Sequence, residues 1–283
     1  MTASPRISGP NSHCTAEDSL RARICTAERA TVREAPNGRS VSELLYGEAF
    51  AVEQALGMWL YGRCMHDNYP GCVSAADFAG WDDALTQSTP THHVIARTGL
   101  VFAAADLKAS VLARPPMGGL LRVRNQTGDY LELGTGFVHR RHVAPRDACA
   151  PDPVEVAARL LGAPYLWGGR SGEGVDCSGL IQLALAQCGV VAPRDSTPQR
   201  ALGRAVDPAE IERGDLVFFP GHVGIMASAT DLLHANAHWM TTLIEPLADV
   251  VARLAPAYAE PIVAVRRLDL PGAAATSDHA ASA

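Results

Sequence analysis

Apolar and polar residues alternate in short stretches through the first half of the chain, and longer apolar runs take over after residue 150. Ala30–Arg33, Glu48–Glu53 and Met58–Arg63 read as strands divided by turn residues. The turn Asp67-Asn68-Tyr69-Pro70-Gly71 then leads into Cys72-Val73. Short strands at about ten-residue spacing predict a small barrel over residues 23–85. The pattern returns over residues 91–147, in His93–Ala96, Gly99–Phe102, Leu120–Val123, Tyr130–Leu133 and Gly136–Val138, and predicts a second barrel. The polar stretch Thr86–Thr91 connects the two.

Ala144–Pro153, with Pro145, Pro151 and Pro153, marks the start of a third domain, residues 150–270. Pro153–Leu161 predicts a short helix. Leu180–Cys188 is apolar all round and predicts a helix buried on every side, with Asp176 as N-cap and Gly189 as stop. Val191–Thr197 reads as a polar loop and Asp207–Arg213 as a turn-rich approach to a strand. Leu216–Phe219, a Pro-Gly turn, His222–Met226 and Leu232–Ala235 predict a β-ribbon. Ile244–Leu254 is mixed, and Ile262–Arg267 is a closing strand. Two β-rich modules before a helix-and-sheet domain make the fold class α+β. Residues 1–22 read as an arm and 271–283 as a disordered tail.

Composition narrows the function. The net charge of −6 argues against nucleic acid as a partner. No apolar run approaches the ~20 residues of a membrane-spanning helix. The first residues are polar and carry no signal-type apolar segment, and seven cysteines lack tight metal spacing. These features lead to the expectation of a cytoplasmic protein with reduced thiols, outside the membrane. Cys64 and Cys72 can pair across a hairpin, although buried free thiols fit better.

Cys177 falls in the first turn of the buried helix, where the dipole and free N–H groups favour a thiolate, the nucleophilic form. The plainer reading is a small buried hydrophobe. His222 follows by 45 residues and His234 by a further 12, on strands expected to be neighbours. Together they supply a base and an orienter for the sulfur. His92, His93, His139, His142 and His238 match no such pattern.

The segments PYLWGG, DCSGL, APRDS, RGDLVFF, GHVGI and LLHA, in this order over about residues 153–269, resemble the NlpC-type, papain-like cysteine peptidases of bacterial cell-wall metabolism. The upstream modules resemble bacterial SH3-like domains; in DNYPGCV, Cys72 stands where that family carries a tryptophan. The resemblance implies Cys177 as nucleophile, His222 as general base and His234 as orienter, with no metal or other cofactor. The layout is similar to a subgroup cutting the bond between γ-D-glutamate and a diamino acid in free murein tripeptides or tetrapeptides with an unblocked N-terminal L-alanine. A free ammonium needs acceptors in a closed pocket. The matching positions are Glu48, Tyr69 and Asp195, with Asp176, Ser178 and Ser196 against the peptide and Trp167 as a wall. Each has a plainer role: helix cap for Asp176, turn residue for Asp195, solvated charge for Glu48, barrel packing for Tyr69 and core for Trp167. Rival functions are a hydrolase of intact wall, an amidase or acyltransferase, a zinc site on Cys177, His222 and His234, and a non-catalytic peptide-binding module.

Overall fold

The structure, a computed structural model, describes residues 22–80 and 89–270. Apart from Ala22, the arm lies outside these residues, as do the tail from residue 271 and the first half of the 86–91 connector.

Seven strands build the first module: β1 Ala22–Cys25, β2 Arg29–Arg33, β3 Ser40–Leu45, β4 Ala49–Leu56, β5 Trp59–Cys64, β6 Pro70–Ser74 and β7 Phe78–Gly80. They join in the order β3-β2-β6-β5-β4-β1-β7, with every pairing antiparallel. Cys25, Val32, Leu44, Phe50, Cys64 and Val73 form its core. Cys64 and Cys72 are both buried and free.

The second module holds β8 His92–Val94, β9 Val101–Phe102, β10 Val111–Ala113, β11 Leu120–Leu121, β12 Asn125–Thr127, β13 Tyr130–Glu132, β14 Phe137–His139 and β15 Val143–Pro145. These form a five-stranded sheet, β10-β9-β14-β13-β12, and a three-stranded one, β11-β8-β15, around Val94, Val101, Leu121, Leu131 and Val138.

The third module opens with α1, Pro153–Ala158, capped by the Asp152 side chain on the Val154 N–H. The hairpin β16 Arg170–Ser171 and β17 Gly174–Val175 then leads into α2, Cys177–Gln187. Asp176 caps α2 through the Gly179 N–H at 2.7 Å, and Gly189 ends the run at φ +78°, a conformation that suits glycine. The short helix α3, Ser196–Gln199, occupies the end of the stretch read as loop. The main sheet contains β18 Arg204–Ala205, β19 Leu216–Phe219, β20 His222–Met226, β21 Asp231–Asn236, β22 Thr241–Pro246 and β23 Ala264–Arg267, ordered β18-β23-β19-β20-β21-β22. The stretch read as mixed resolves into the end of β22 and the helix α4, Leu247–Leu254.

Strand alternation explains why this sheet is covered on both sides. Leu216, Phe218, Val223, Ile225, Leu233 and Ala235 pack in one cluster with α2. Val217, Phe219, Met226 and Leu232 pack in another with Val250 of α4. The Cys177 thiol and the Val223 side chain thus belong to the first layer. His222 and His234 follow the other parity, with Met226 and Leu232. Pairing between β20 and β21 is confined to Ile225–Leu233 and Met226–Leu232, so the two strands part toward His222.

Candidate active site

At the head of α2, Cys177 is only 6 % exposed. Backbone groups of Val223 and Ser178 lie against its sulfur and favour the anion, as does the Arg194 charge. Burial and the Asp176 carboxylate outweigh them and push the thiol up to about 11. The expected resting thiolate is therefore corrected to a thiol: the helix terminus is present, but desolvation acts more strongly on this sulfur. Alkylation of Cys177 by iodoacetamide should climb about tenfold per pH unit between about pH 7 and 9, following the thiolate fraction. Peptide mapping separates Cys177 from the exposed Cys149. A rate that levels off below pH 8 would contradict the raised value.

His222 and His234 come together across the parted strands, with His222 Nε2 at 2.8 Å from His234 Nδ1. His234 is fully buried, and its Nε2 lies 2.9 Å from Glu245 Oε1 on β22. Burial and the neighbouring His234 push His222 down to about 3, against the pull of Glu245. At rest Cys177 is thus a neutral thiol and His222 a neutral imidazole. Two ring nitrogens at 2.8 Å share a proton rather than converging on a metal, so this geometry does not suit the zinc reading. Among the described residues, no cluster of three or more His, Cys, Asp or Glu is arranged to hold a metal ion.

The proposed peptide-binding residues divide. Tyr69 and Asp195 meet across the junction of the first and third modules, the Tyr69 hydroxyl donating to Asp195 Oδ1 at 3.4 Å. Both line an open cavity of about 490 Å³ with Val41, Tyr61 and Glu34. Asp195 is exposed, and Ser196 beside it is half-buried at the start of α3. Trp167 is 66 % exposed, so the core reading is corrected. Its neighbour Gly168, at φ +82°, lies so close to Ser40 and Val41 of β3 that a side chain there would collide.

Glu48, Asp176 and Ser178 are occupied elsewhere. Glu48 is buried; both its oxygens take Arg170, at 3.0 and 3.3 Å, and Oε2 also takes the Leu45 N–H at 2.8 Å. Burial pushes its carboxyl up, but Arg170 and His66 outweigh that and hold it below the usual range. Glu48 thus belongs to an ion pair between modules, and its reading as a solvated charge is corrected. Asp176 accepts from Gly168 and Gly179 and takes Arg194 at 2.6 and 2.9 Å. Ser178 Oγ accepts from the same Arg194 at 3.0 Å. Both side chains serve the helix start.

Sequence reasoning missed Arg170, Arg194, Glu245 and Tyr165. Tyr165, half-buried, stands close enough to Cys177 for burial and then that thiol to raise its phenol. The segment PYLWGG contains it, yet nothing in the spacing separates Tyr165 from Trp167 as the residue near the sulfur.

Comparison with known proteins follows this geometry. The NlpC/P60 family profile matches residues 162–250, and that of the bacterial dipeptidyl-peptidase SH3 domain matches residues 32–78. The chain carries an NlpC/P60 domain behind an SH3 domain. Dipeptidyl-peptidase 6 of Lysinibacillus sphaericus is 28% identical over 218 residues, covering 69% of this chain and 80% of that protein. The gamma-D-glutamyl-L-lysine dipeptidyl-peptidase of Bacillus cereus is 33% identical over 146 residues, covering 49% of this chain and 42% of its own length. The Bacillus subtilis protein of that name is 32% identical, with 48% and 47% covered. The chain thus spans less than half of these two relatives. A crystal structure of an NlpC/P60 family protein from Bacillus cereus superposes with a TM-score of 0.76 at 21% identity, covering 88% of this chain and all of that one. The fold is therefore that of an NlpC/P60 catalytic domain with an N-terminal SH3-like domain. Among the described residues, no helix is long and apolar enough to cross a membrane.

Proposed function

We propose that the protein is a cysteine peptidase that hydrolyses the γ-D-glutamyl–diamino acid bond of free murein peptides with an unblocked N-terminal L-alanine. The observation that carries this reading is the meeting of Tyr69 and Asp195 at the cavity between the SH3 and NlpC/P60 modules. An exposed carboxylate beside a phenol offers acceptors to an ammonium. The six described cysteines stand free. Free thiols are usual in a reducing compartment, which supports a cytoplasmic recycling role.

The chemistry runs in two halves. Cys177 gives its proton to His222 as the sulfur attacks the γ-carbonyl carbon of D-glutamate. The oxyanion meets N–H groups at the start of α2, which have no intrahelical partner, and the Tyr165 hydroxyl. The His222 imidazolium then protonates the departing diamino acid nitrogen, the C–N bond breaks and a thioester remains. Water gives a proton to His222 and attacks the thioester, and the thiol recovers its proton as L-Ala-γ-D-Glu leaves.

L-Ala-γ-D-Glu-diaminopimelate and its N-acetylated form, compared by mass spectrometry of products, test the reading. The free amine should be cleaved at least about tenfold faster, since a charge-assisted hydrogen bond is worth about 1.5–3 kcal/mol. Asp195→Asn should narrow the gap. Equal rates on the two peptides would instead favour a hydrolase of intact wall or another amide.

A further inference from the structure

Beyond the two histidines the hydrogen-bond chain continues, and its far end decides where every proton along it sits. His234 Nε2 faces Glu245 Oε1 at 2.9 Å. The same oxygen takes Arg253 Nη1 of α4 at 3.0 Å, and Oε2 takes the Trp239 indole N–H at 3.2 Å and the second Arg253 nitrogen. The buried site raises the carboxyl, and Arg253, Trp239 and His234 outweigh that and keep it ionised.

An ionised carboxylate only accepts. His234 must therefore carry its proton on Nε2, which leaves Nδ1 as a bare acceptor. His222 Nε2, 2.8 Å away, must then be the donor. A neutral imidazole has one N–H, so His222 Nδ1 is left bare. We propose that Glu245 is a positioning residue that fixes the tautomers of His234 and His222 in series, so that His222 keeps an unprotonated Nδ1. The inference rests on the peptidase reading above only in giving that nitrogen a proton to accept.

Without Glu245 the chain has no fixed direction. A His–His contact works equally well reversed, and the reversed form puts a proton on His222 Nδ1, where a base is required. Asn236 leans toward reversal. Its Oδ1 accepts from the His238 N–H at 2.6 Å, which turns its amide nitrogen toward His234 Nε2 at 3.4 Å. The carboxylate overrides this weaker contact. Strand register places it there: His234 pairs with Leu243, and Glu245 lies two residues on, on the same face of the sheet.

Glu245→Gln makes a specific prediction because its amide has one good orientation. The Oε2 position meets two obligate donors, Trp239 and Arg253 Nη2, and the Oε1 position only Arg253 Nη1, so the amide oxygen is favoured at Oε2. The amide N–H₂ then points at His234 Nε2 and forces both histidines into the opposite tautomer. Full-length chain labelled with ¹⁵N-histidine, read by long-range ¹H–¹⁵N correlation at neutral pH, reports this directly. The parent should show unprotonated Nδ1 on both His222 and His234, and Glu245→Gln should show unprotonated Nε2 on both. Glu245→Asp, which keeps an acceptor, should keep the parental pattern. In turnover of the free-amine tripeptide, Glu245→Gln should lower kcat by about 10³-fold with KM within about twofold; loss of the orienting carboxylate of a Ser-His-Asp triad costs about 10⁴-fold. Glu245→Asp should recover at least about tenfold of that loss. Parental tautomers in Glu245→Gln, or kcat within about threefold of the parent, overturn the proposal. If the parent cleaves no murein peptide, the substrate reading fails and the nitrogen shifts alone decide for or against Glu245.

Discussion

Cys177→Ala will end turnover of L-Ala-γ-D-Glu-diaminopimelate, with a loss of about a millionfold in kcat if the thiol carries the bond-breaking step. Cys177→Ser will be nearly as inactive. A hydroxyl is a weaker acid than the thiol it replaces, and His222, pushed down to about 3, is a feeble base toward it. A thiol needs less help from a base than a hydroxyl, and backbone groups of Val223 and Ser178 already lie against this one. Neither variant should unfold the protein, since alanine removes one buried sulfur and serine keeps the shape. Product masses and far-UV circular dichroism of the purified variants check both halves of this expectation. Retained cleavage by a folded Cys177→Ala protein would remove the sulfur from the reaction.

Arg170→Ala should produce the largest loss of stability. The guanidinium is 2 % exposed and leaves β16 to reach into the SH3 module. There it donates to the Glu43 carbonyl at 2.7 Å and to both Glu48 oxygens. The Arg170 backbone N–H also donates to the Glu43 carboxylate at 2.8 Å. Alanine strips the charge from between two carboxylates, of which Glu43 is 3 % and Glu48 7 % exposed. Removing one partner of a buried pair costs about 3–5 kcal/mol, because Glu48 is left buried with only the Leu45 N–H and the more distant His66. For a chain of this length that corresponds to a fall of about 10 °C in Tm. Arg170→Lys should also lose stability, since an ammonium cannot span both Glu48 oxygens and the Glu43 carbonyl. Differential scanning calorimetry reads the shift, and a Tm within about 2 °C of the parent for Arg170→Ala would show that the pair holds nothing.

How far the sequence reveals the site depends on how local each determinant is. The α2 start was legible because an N-cap aspartate, an all-round apolar run and Gly189 lie within fifteen residues of one another. The ribbon carrying His222 and His234 was legible because Pro220-Gly221 marks its turn. The β-rich first half was legible from turn spacing. Glu245 was hidden because its role comes from register with β21, which composition does not carry. Glu48, Asp176 and Ser178 looked available because their partners, Arg170 and Arg194, reach them only through tertiary packing. The state of Cys177 was misjudged for the same reason: a helix terminus is written in the sequence, and the depth of burial is not.

Arg194 gives the packing of these modules a further meaning. One guanidinium touches Ser42 in the SH3 module and Asp176, the residue immediately before Cys177. A slip of the outer module by a single ångström would be felt by the cap of α2 before any peptide arrived. A foreign module in place of the SH3 module would leave Arg194 without the Ser42 hydroxyl and Arg170 without the Glu48 carboxylate.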